Sequence, residues 1–260
     1  MVNLSIVKTL IIPDVHLKIN KLDRILALEG NQADQIVFLG DFFDAFNDNV
    51  WRNIAMAHKL NDLAQNDKII FLYGNHDLHY LWDNQYVRCS GFSWEKYRAI
   101  KPTVEAKTVQ KFKWFHVLGD NDILLTHAGV HPNHWNTRIQ GEKPKDKHEI
   151  VEWLTHHCDL ATQSLIGNGD NWVFRAGLSR GGRQKYGGIV WNDADDFNPS
   201  PKIGQIFGHT IQREYAKWYD DNNICLDTGL DFYAIYDDKT SRIEVHHTWF
   251  GDACHENLNW

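Results

Sequence analysis

The feature that most restricts the fold is a set of short apolar, β-prone runs, each ending in a side chain able to bind a metal. Thr9–Ile12 runs into Pro13 and Asp14, Gln35–Leu39 into Gly40 and Asp41, and Lys68–Leu72 into Tyr73, Gly74 and Asn75. Further along, Ile123–Leu125 runs into Thr126 and His127, and Ile206–Phe207 into Gly208 and His209. Continuous apolar runs of this length suit strands buried on both faces. Helical patterns lie between the first three. Leu22–Leu28 closes at Gly30, a helix stop. Val50, Ile54, Ala57, Leu60 and Ala64 recur at helical spacing behind Asp48, a candidate N-cap. Strand–helix–strand alternation predicts a βαβ core with parallel pairing. Toward the C-terminus, Ile224–Leu226, Phe232–Tyr236 and Ile243–Trp249 predict antiparallel strands, with turns at Thr228-Gly229 and Asp237-Asp238. The stretch from about 131 to 185 breaks the pattern, being polar and helical with a Gly- and Arg-rich segment, Arg175–Arg183. Residues 1–260 therefore read as one domain carrying a mainly helical and loop insertion there.

Composition excludes several classes. The chain is 43% hydrophobic and 23% charged, as in ordinary soluble globular proteins. Its apolar stretches are too short and too interrupted by charge to span a membrane. Met1–Lys8 lacks the basic region and long apolar run of a signal peptide, and reads as the approach to a first strand. Cys89, Cys158, Cys225 and Cys254 are far apart with no CxxC pair, which fits a reduced, cytoplasmic setting. A net charge of −7 argues against a broad face for duplex nucleic acid. An Asp-rich metal site would contribute to that charge. The 11 tryptophans are accounted for by packing, with nothing to select one for stacking on a base.

The carboxyl ends of strands in open α/β sheets are where ligands bind, and five such ends carry metal-competent groups here. Asp14-x-His16 sends two side chains to the same side of an extended turn, so both reach one cation. Gly40 permits the close approach of Asp41, whose carboxylate has two oxygens and can bridge two cations. Asn75, His127 and His209 complete a second site. Mixed oxygen and imidazole donors suit Mn, Fe, Zn, Co or Ni better than Ca, and Mn is the first expectation. Two such ions, about 3.5–4 Å apart, stabilise the attacking and leaving oxygens of an in-line displacement and generate hydroxide from a bridging water. His76, beside a ligand but not needed as one, is placed to protonate the departing oxygen. Asp44, three residues beyond Asp41, can accept the other N–H of His76 and orient it. A lone DxH or a lone His on a strand is more often a packed or surface feature than a ligand. The ordered set of five blocks is what carries the reading.

These blocks, Asp-x-His, Gly-Asp-x-x-Asp, Gly-Asn-His-Asp, Thr-His-Ala-Gly and Gly-His-Thr, resemble the calcineurin-like metallophosphoesterase superfamily from residue 9 to about 230. The resemblance implies an α/β fold, a β-sandwich of two mixed sheets flanked by helices. It also implies the same metal ligands and the His76–Asp44 pair. Gly208-His-Thr-Ile211 lacks the second histidine of a GHxH ending, which places the likeness in the phosphoprotein-phosphatase branch. Gly74–His79 and Thr126–Trp135 look most like the symmetrical diadenosine tetraphosphate hydrolases and their relatives. Ala45 stands where that branch usually carries a phosphate-binding arginine, and Trp191-Asn-Asp193 lacks an arginine after its tryptophan. Arg175, Arg180 and Arg183 are the candidate replacements, set against a solvated basic loop.

The resulting expectation is hydrolysis of a phosphomonoester or phosphoanhydride in a small molecule or nucleotide, including dinucleoside polyphosphates. A phosphoserine/threonine protein phosphatase, a diesterase or nuclease, and a metal-binding scaffold without catalysis are the alternatives. Loss of the arginine at position 45 counts against the first, acidic charge and the absent GHxH against the second. The intact dyad and ligand set count against the third.

Overall fold

Within the apolar runs, successive residues bury opposite faces, and that alternation builds the layers. The computed structural model describes residues 7–120, 122–136 and 143–249. In chain order the elements are β1 (Lys8–Ile12), α1 (Ile19–Glu29), β2 (Gln35–Phe38), α2 (Val50–Leu63), β3 (Ile69–Leu72), α3 (Asn75–Leu81), α4 (Trp94–Thr103) and α5 (Ala106–Val109). Then follow β4 (Phe112–Lys113), β5 (Phe115–Leu118), β6 (Ile123–Thr126), α6 (Asn133–Asn136) and α7 (Lys147–Ile166). β7 (Gly204–Phe207), β8 (Lys217–Asp220), β9 (Asn223–Cys225), β10 (Phe232–Asp237) and β11 (Arg242–His247) complete them.

One sheet has the order β11-β10-β1-β2-β3-β4, the other β5-β6-β7-β9-β8. Both are mixed. β1, β2, β3 and β4 run parallel, while β10 pairs antiparallel with β1 and β11. In the second sheet β6, β7 and β9 run parallel, with β5 and β8 antiparallel at its edges. Ile11, Val37, Leu39 and Leu72 of the first sheet pack with Leu125, Ile206 and Ile224 of the second, forming the apolar layer between the sheets. Leu10, Ile12, Ile36, Phe38 and Phe71 face the other way and join Leu22, Ile25, Met56, Ala57 and Leu60 of α1 and α2. The fold is thus the expected α/β sandwich of two mixed sheets with flanking helices. The long excursion between β6 and β7 contains α6, α7 and two 3₁₀ turns, Trp172–Phe174 and Leu178–Arg180.

Three local expectations change. Ile224–Leu226 does not form an antiparallel unit with Phe232–Tyr236. β9 instead lies in the other sheet, parallel to β7 with Ile224 opposite Ile206 and antiparallel to β8. The cap of α2 is Asn49, whose side chain accepts from Arg52 N, one residue beyond Asp48. Asp48 Oδ2 accepts from Asn53 Nδ2 and Lys96 Nζ instead. Gly30 does end α1, but in right-handed geometry (φ −59°), so the left-handed freedom of glycine is not what stops the helix. Among the described residues, no helix is long and apolar enough to cross a membrane. Cys89, Cys158 and Cys225 are free thiols, and Cys254 lies outside the described residues.

Candidate metal centre

Because β1, β2 and β3 are parallel, the loops carrying Asp14, Asp41 and Asn75 leave the sheet at one edge. Backbone bonds stitch these loops together. Asp41 O accepts from Val15 N (3.1 Å) and His16 N (2.8 Å), and Phe42 O accepts from Leu17 N (3.1 Å). Asp77, buried in the first turn of α3, ties the next pair. Its Oδ2 accepts from Asp41 N (2.8 Å) and Gly74 N (2.9 Å), and its Oδ1 from Phe42 N (2.8 Å). The parallel pair β6 and β7 delivers His127 and His209 from the second sheet. His209 N donates to both Asp14 oxygens, at 2.9 and 3.1 Å, so the two sheets are joined at the site itself.

Space there is tight. A Cβ at Gly74 would overlap Asp41 Oδ1, and one at Gly208 would overlap Asp14 Oδ1. His16, Asp41, Asp44 and His209 all hold left-handed backbone, with φ of 42°, 52°, 59° and 69°. L-residues adopt that region at a cost of roughly 1–2 kcal/mol each, and such strain collects where surrounding contacts fix the chain.

Hydrogen bonds to backbone carbonyls set the tautomers, since a carbonyl only accepts. His127 Nδ1 donates to Leu39 O (2.9 Å), and His16 Nδ1 donates to Asp44 O (2.9 Å) with Phe43 O at 3.1 Å. Both Nε2 atoms therefore offer lone pairs inward. His127 Nε2 lies 3.0 Å from Asn75 Oδ1, 3.1 Å from His209 Nδ1 and 3.4 Å from Asp41 Oδ2. His16 Nε2 lies 3.5 Å from Asp41 Oδ2. With the rings neutral, acceptors face acceptors in a buried place, an arrangement that repels itself unless a positive charge, either a proton on His127 or a metal ion, sits among them. A proton on His127 would answer the same field. Burial works against a charge on His127, yet Asp41 and Asp14 push its imidazole up to about 10. Two groups of potential ligands result, Asp14–His16–Asp41 and Asp41–His127–His209, with the ligand atoms of each within 4.8 Å of one another. Asp41 belongs to both. The donor set fits divalent transition-metal ions.

His76 stands beside this centre. Its backbone N–H donates to Asp41 Oδ1 (2.9 Å), and its ring meets that of His16 edge-on at 5.3 Å between centroids. Nδ1 lies 2.9 Å from Asp44 Oδ2, which leaves Nε2 for another partner. The His76 side chain is 19% exposed and that of Asp44 only 5%, so the imidazole is the member of the pair that meets solvent. Burial opposes protonation of His76, but Asp41 and Asp44 outweigh it and raise its pKa. Burial would likewise raise Asp44, but hydrogen bonds from His76, His79 and Lys96 hold its carboxyl well below the usual range.

Residues 7–213 match the calcineurin-like phosphoesterase family. The chain belongs to that family. It is similar to the UDP-2,3-diacylglucosamine hydrolase of Shewanella baltica (strain OS223), 32% identical over 130 residues, or 46% of this chain and 51% of that protein. The protein of the same name from Shewanella oneidensis is 37% identical over 79 residues, 27% of this chain and 33% of that protein. The matched segments thus span between about a third and a half of those relatives. Among solved structures, a protein serine/threonine phosphatase from Saccharomyces cerevisiae aligns over 93% of this chain and 80% of its own, at 13% identity and a TM-score of 0.47.

Of the three arginines in this family member, the structure brings one to the centre. Arg180 Nη2 donates to Thr210 Oγ1 (2.6 Å), next to His209, and Nε pairs with Asp193 Oδ2 at 2.6 Å. Arg175 pairs with Asp170 and lies over the Tyr86 ring, and Arg183 is exposed. Trp191 meets His209 edge-on at 5.3 Å, and the amide of the following Asn192 is buried with no protein partner.

Sequence reasoning missed Asp77, Lys96 and Asp227. Asp227 lies in the loop just past β9, is 3% exposed, and adds to burial in pushing the Asp14 carboxyl up. The run Ile224–Leu226 into Asp227-Thr-Gly repeats the pattern of the other blocks, and was the signal available.

Gly208→Ala is expected to displace the Asp14 carboxylate, at an overpacking cost of about 1–3 kcal/mol. Thermal unfolding should show a lower Tm without metal and a smaller rise on adding Mn than in the wild type. An unchanged Mn-dependent rise would contradict the assigned place of Asp14.

Proposed function

We propose that the protein is a hydrolase of phosphomonoesters or phosphoanhydrides that works with two divalent metal ions at the shared edge of its sheets. The observation that supports this most is one buried carboxylate, Asp41, common to two groups of potential ligands and bonded to the loop that carries His76. Asp14 and His16 would hold one ion, Asn75, His127 and His209 the other, and Asp41 both. When bound, such a pair acts as a Lewis acid on phosphoryl oxygens and lowers the pKa of water into the neutral range. Mn is the first candidate, with Fe, Zn, Co and Ni also suited to these donors.

The side chains do the rest. Asp77 and the loop-to-loop hydrogen bonds fix the ligand loops, so no reorganisation is needed when substrate arrives. His76, with Nδ1 engaged by Asp44, delivers the proton from Nε2 to the leaving oxygen, and the negative charge of Asp41 and Asp44 favours its protonated form against burial. Arg180, which donates to Thr210 beside His209, would turn from it to contact phosphate oxygens in the role left open at Ala45. Motifs like those of diadenosine tetraphosphate hydrolases, and relatives named for a UDP conjugate, both favour a phosphoanhydride joined to a nucleoside.

A Mn-loaded screen over diadenosine tetraphosphate, a UDP-sugar, p-nitrophenyl phosphate, its bis-ester and a phosphopeptide is expected to find an anhydride or monoester cleaved fastest. His76→Ala should lower kcat roughly 10²–10⁴-fold on substrates with poor leaving groups while metal content persists. p-Nitrophenyl phosphate, whose leaving group needs little protonation, should lose much less. Equal losses on both kinds of substrate would rule out the proton-donor role.

Arg180→Ala should raise KM and lower kcat/KM about ten- to a hundredfold, since a charge-assisted bond to phosphate contributes roughly 1.5–3 kcal/mol. Steady-state kinetics with bound metal measured alongside is the check. Unchanged kinetics would return Arg180 to a structural role with Asp193.

A further inference from the structure

Asp44 makes far more contacts than an orienting partner of one histidine requires. Its two oxygens divide the work. Oδ2 lies 2.9 Å from His76 Nδ1 and 3.0 Å from His79 Nε2. Oδ1 lies 2.5 Å from Lys96 Nζ and accepts from the Tyr80 hydroxyl at 2.7 Å. Gly91, at φ 93°, closes over the first pair, since a Cβ there would come within 2.6 Å of Oδ2. The His79 side chain is fully buried, with Nδ1 3.3 Å from Cys89 Sγ.

Lys96 is the cation of this group. Its side chain is 9% exposed, and Nζ also donates to Asp48 Oδ2 at 3.1 Å. Asp48 Oδ2 accepts from Asn53 Nδ2 (2.9 Å), and Asn53 Oδ1 accepts from Asp44 N (3.2 Å). The chain of contacts closes on itself: Asp44, Lys96, Asp48, Asn53, Asp44. Ser93 caps α4 by accepting from Lys96 N (3.2 Å), and α4 packs against α2 and α3. A buried ammonium is costly to desolvate and is a poor device for stability alone.

We infer that Lys96 is a positioning residue for His76: with Tyr80 it pins Asp44 Oδ1, so that Oδ2 stays aimed at His76 Nδ1. Without that ammonium only Tyr80 holds Oδ1, the carboxylate turns more easily about its Cβ–Cγ bond, and the ring plane of His76 is less firmly fixed. The inference rests on the reading of His76 as proton donor only where it concerns rate. Its geometric half stands independently.

Lys96→Met keeps the aliphatic stem and removes the charge, and Lys96→Arg restores a cation. In metal-free protein with ¹⁵N-labelled histidine, the wild type should show a slowly exchanging Nδ1–H resonance, absent in His76→Ala. Lys96→Met should lose or shift it, and Lys96→Arg should keep it. In the Mn-loaded enzyme, Lys96→Met should lose about tenfold or more in kcat on an alkyl phosphate and less than about twofold on p-nitrophenyl phosphate, with Lys96→Arg recovering most of the loss. Tyr80→Phe, which leaves the charge in place, should show a smaller change of the same kind, and it serves if Lys96→Met does not fold. An unaltered His76 resonance in Lys96→Met would overturn the inference, and so would equal losses on the two phosphates. A wild type that hydrolyses nothing would sink the reading of the reaction, and the resonance would still decide the role of Lys96.

Discussion

Repulsion among buried acceptors is the constraint to which the rest of the structure answers. Asp41, Asn75, His16 and His127 turn lone pairs inward, and the carbonyls of Leu39 and Asp44 fix the tautomers of His127 and His16 that make those rings do so. Left alone, such a cluster would drive the loops apart. Parallel strands oppose this by fixing where each loop begins, and Asp77 opposes it by holding three backbone N–H groups of two loops at once. A cation bound there turns the repulsion into attraction, and any ligand that binds only the folded state adds to stability with the logarithm of its concentration over its Kd.

The same constraint explains the backbone. Four site residues hold left-handed geometry, and two glycines allow carboxylates closer to the chain than any Cβ would permit. These four residues lie in loops at one edge of the sheets. Function and fold therefore meet along a single line, where parallel strands end and helices begin.

Much of this was legible in the sequence, and the parts that were not share a cause. Runs such as Gln35–Leu39 are buried on both faces, so their composition announces them. The edge strands β4, β5 and β8 are short and partly exposed, and pass for loop. β9 was recognised as a strand but not as a parallel one, because partner and direction are set by tertiary pairing with β7, and Asp227 was lost with it. Asp77 was visible in Gly-Asn-His-Asp, but its role depends on the backbone N–H groups of Asp41 and Phe42, contributed by another loop. Lys96 lies on a helix outside every motif block, and only packing brings it to Asp44. The arginines show the same limit: spacing marked Arg175, Arg180 and Arg183 alike, and the turn at Leu178–Arg180 alone presents one to Thr210.

The most direct test of the central claim is anomalous diffraction at the Mn edge from crystals of the Mn-loaded protein. Two peaks a few Å apart are expected, one among Asp14, His16 and Asp41, the other among Asp41, Asn75, His127 and His209. Peaks elsewhere, or a single ion that leaves Asp41 out, would contradict it.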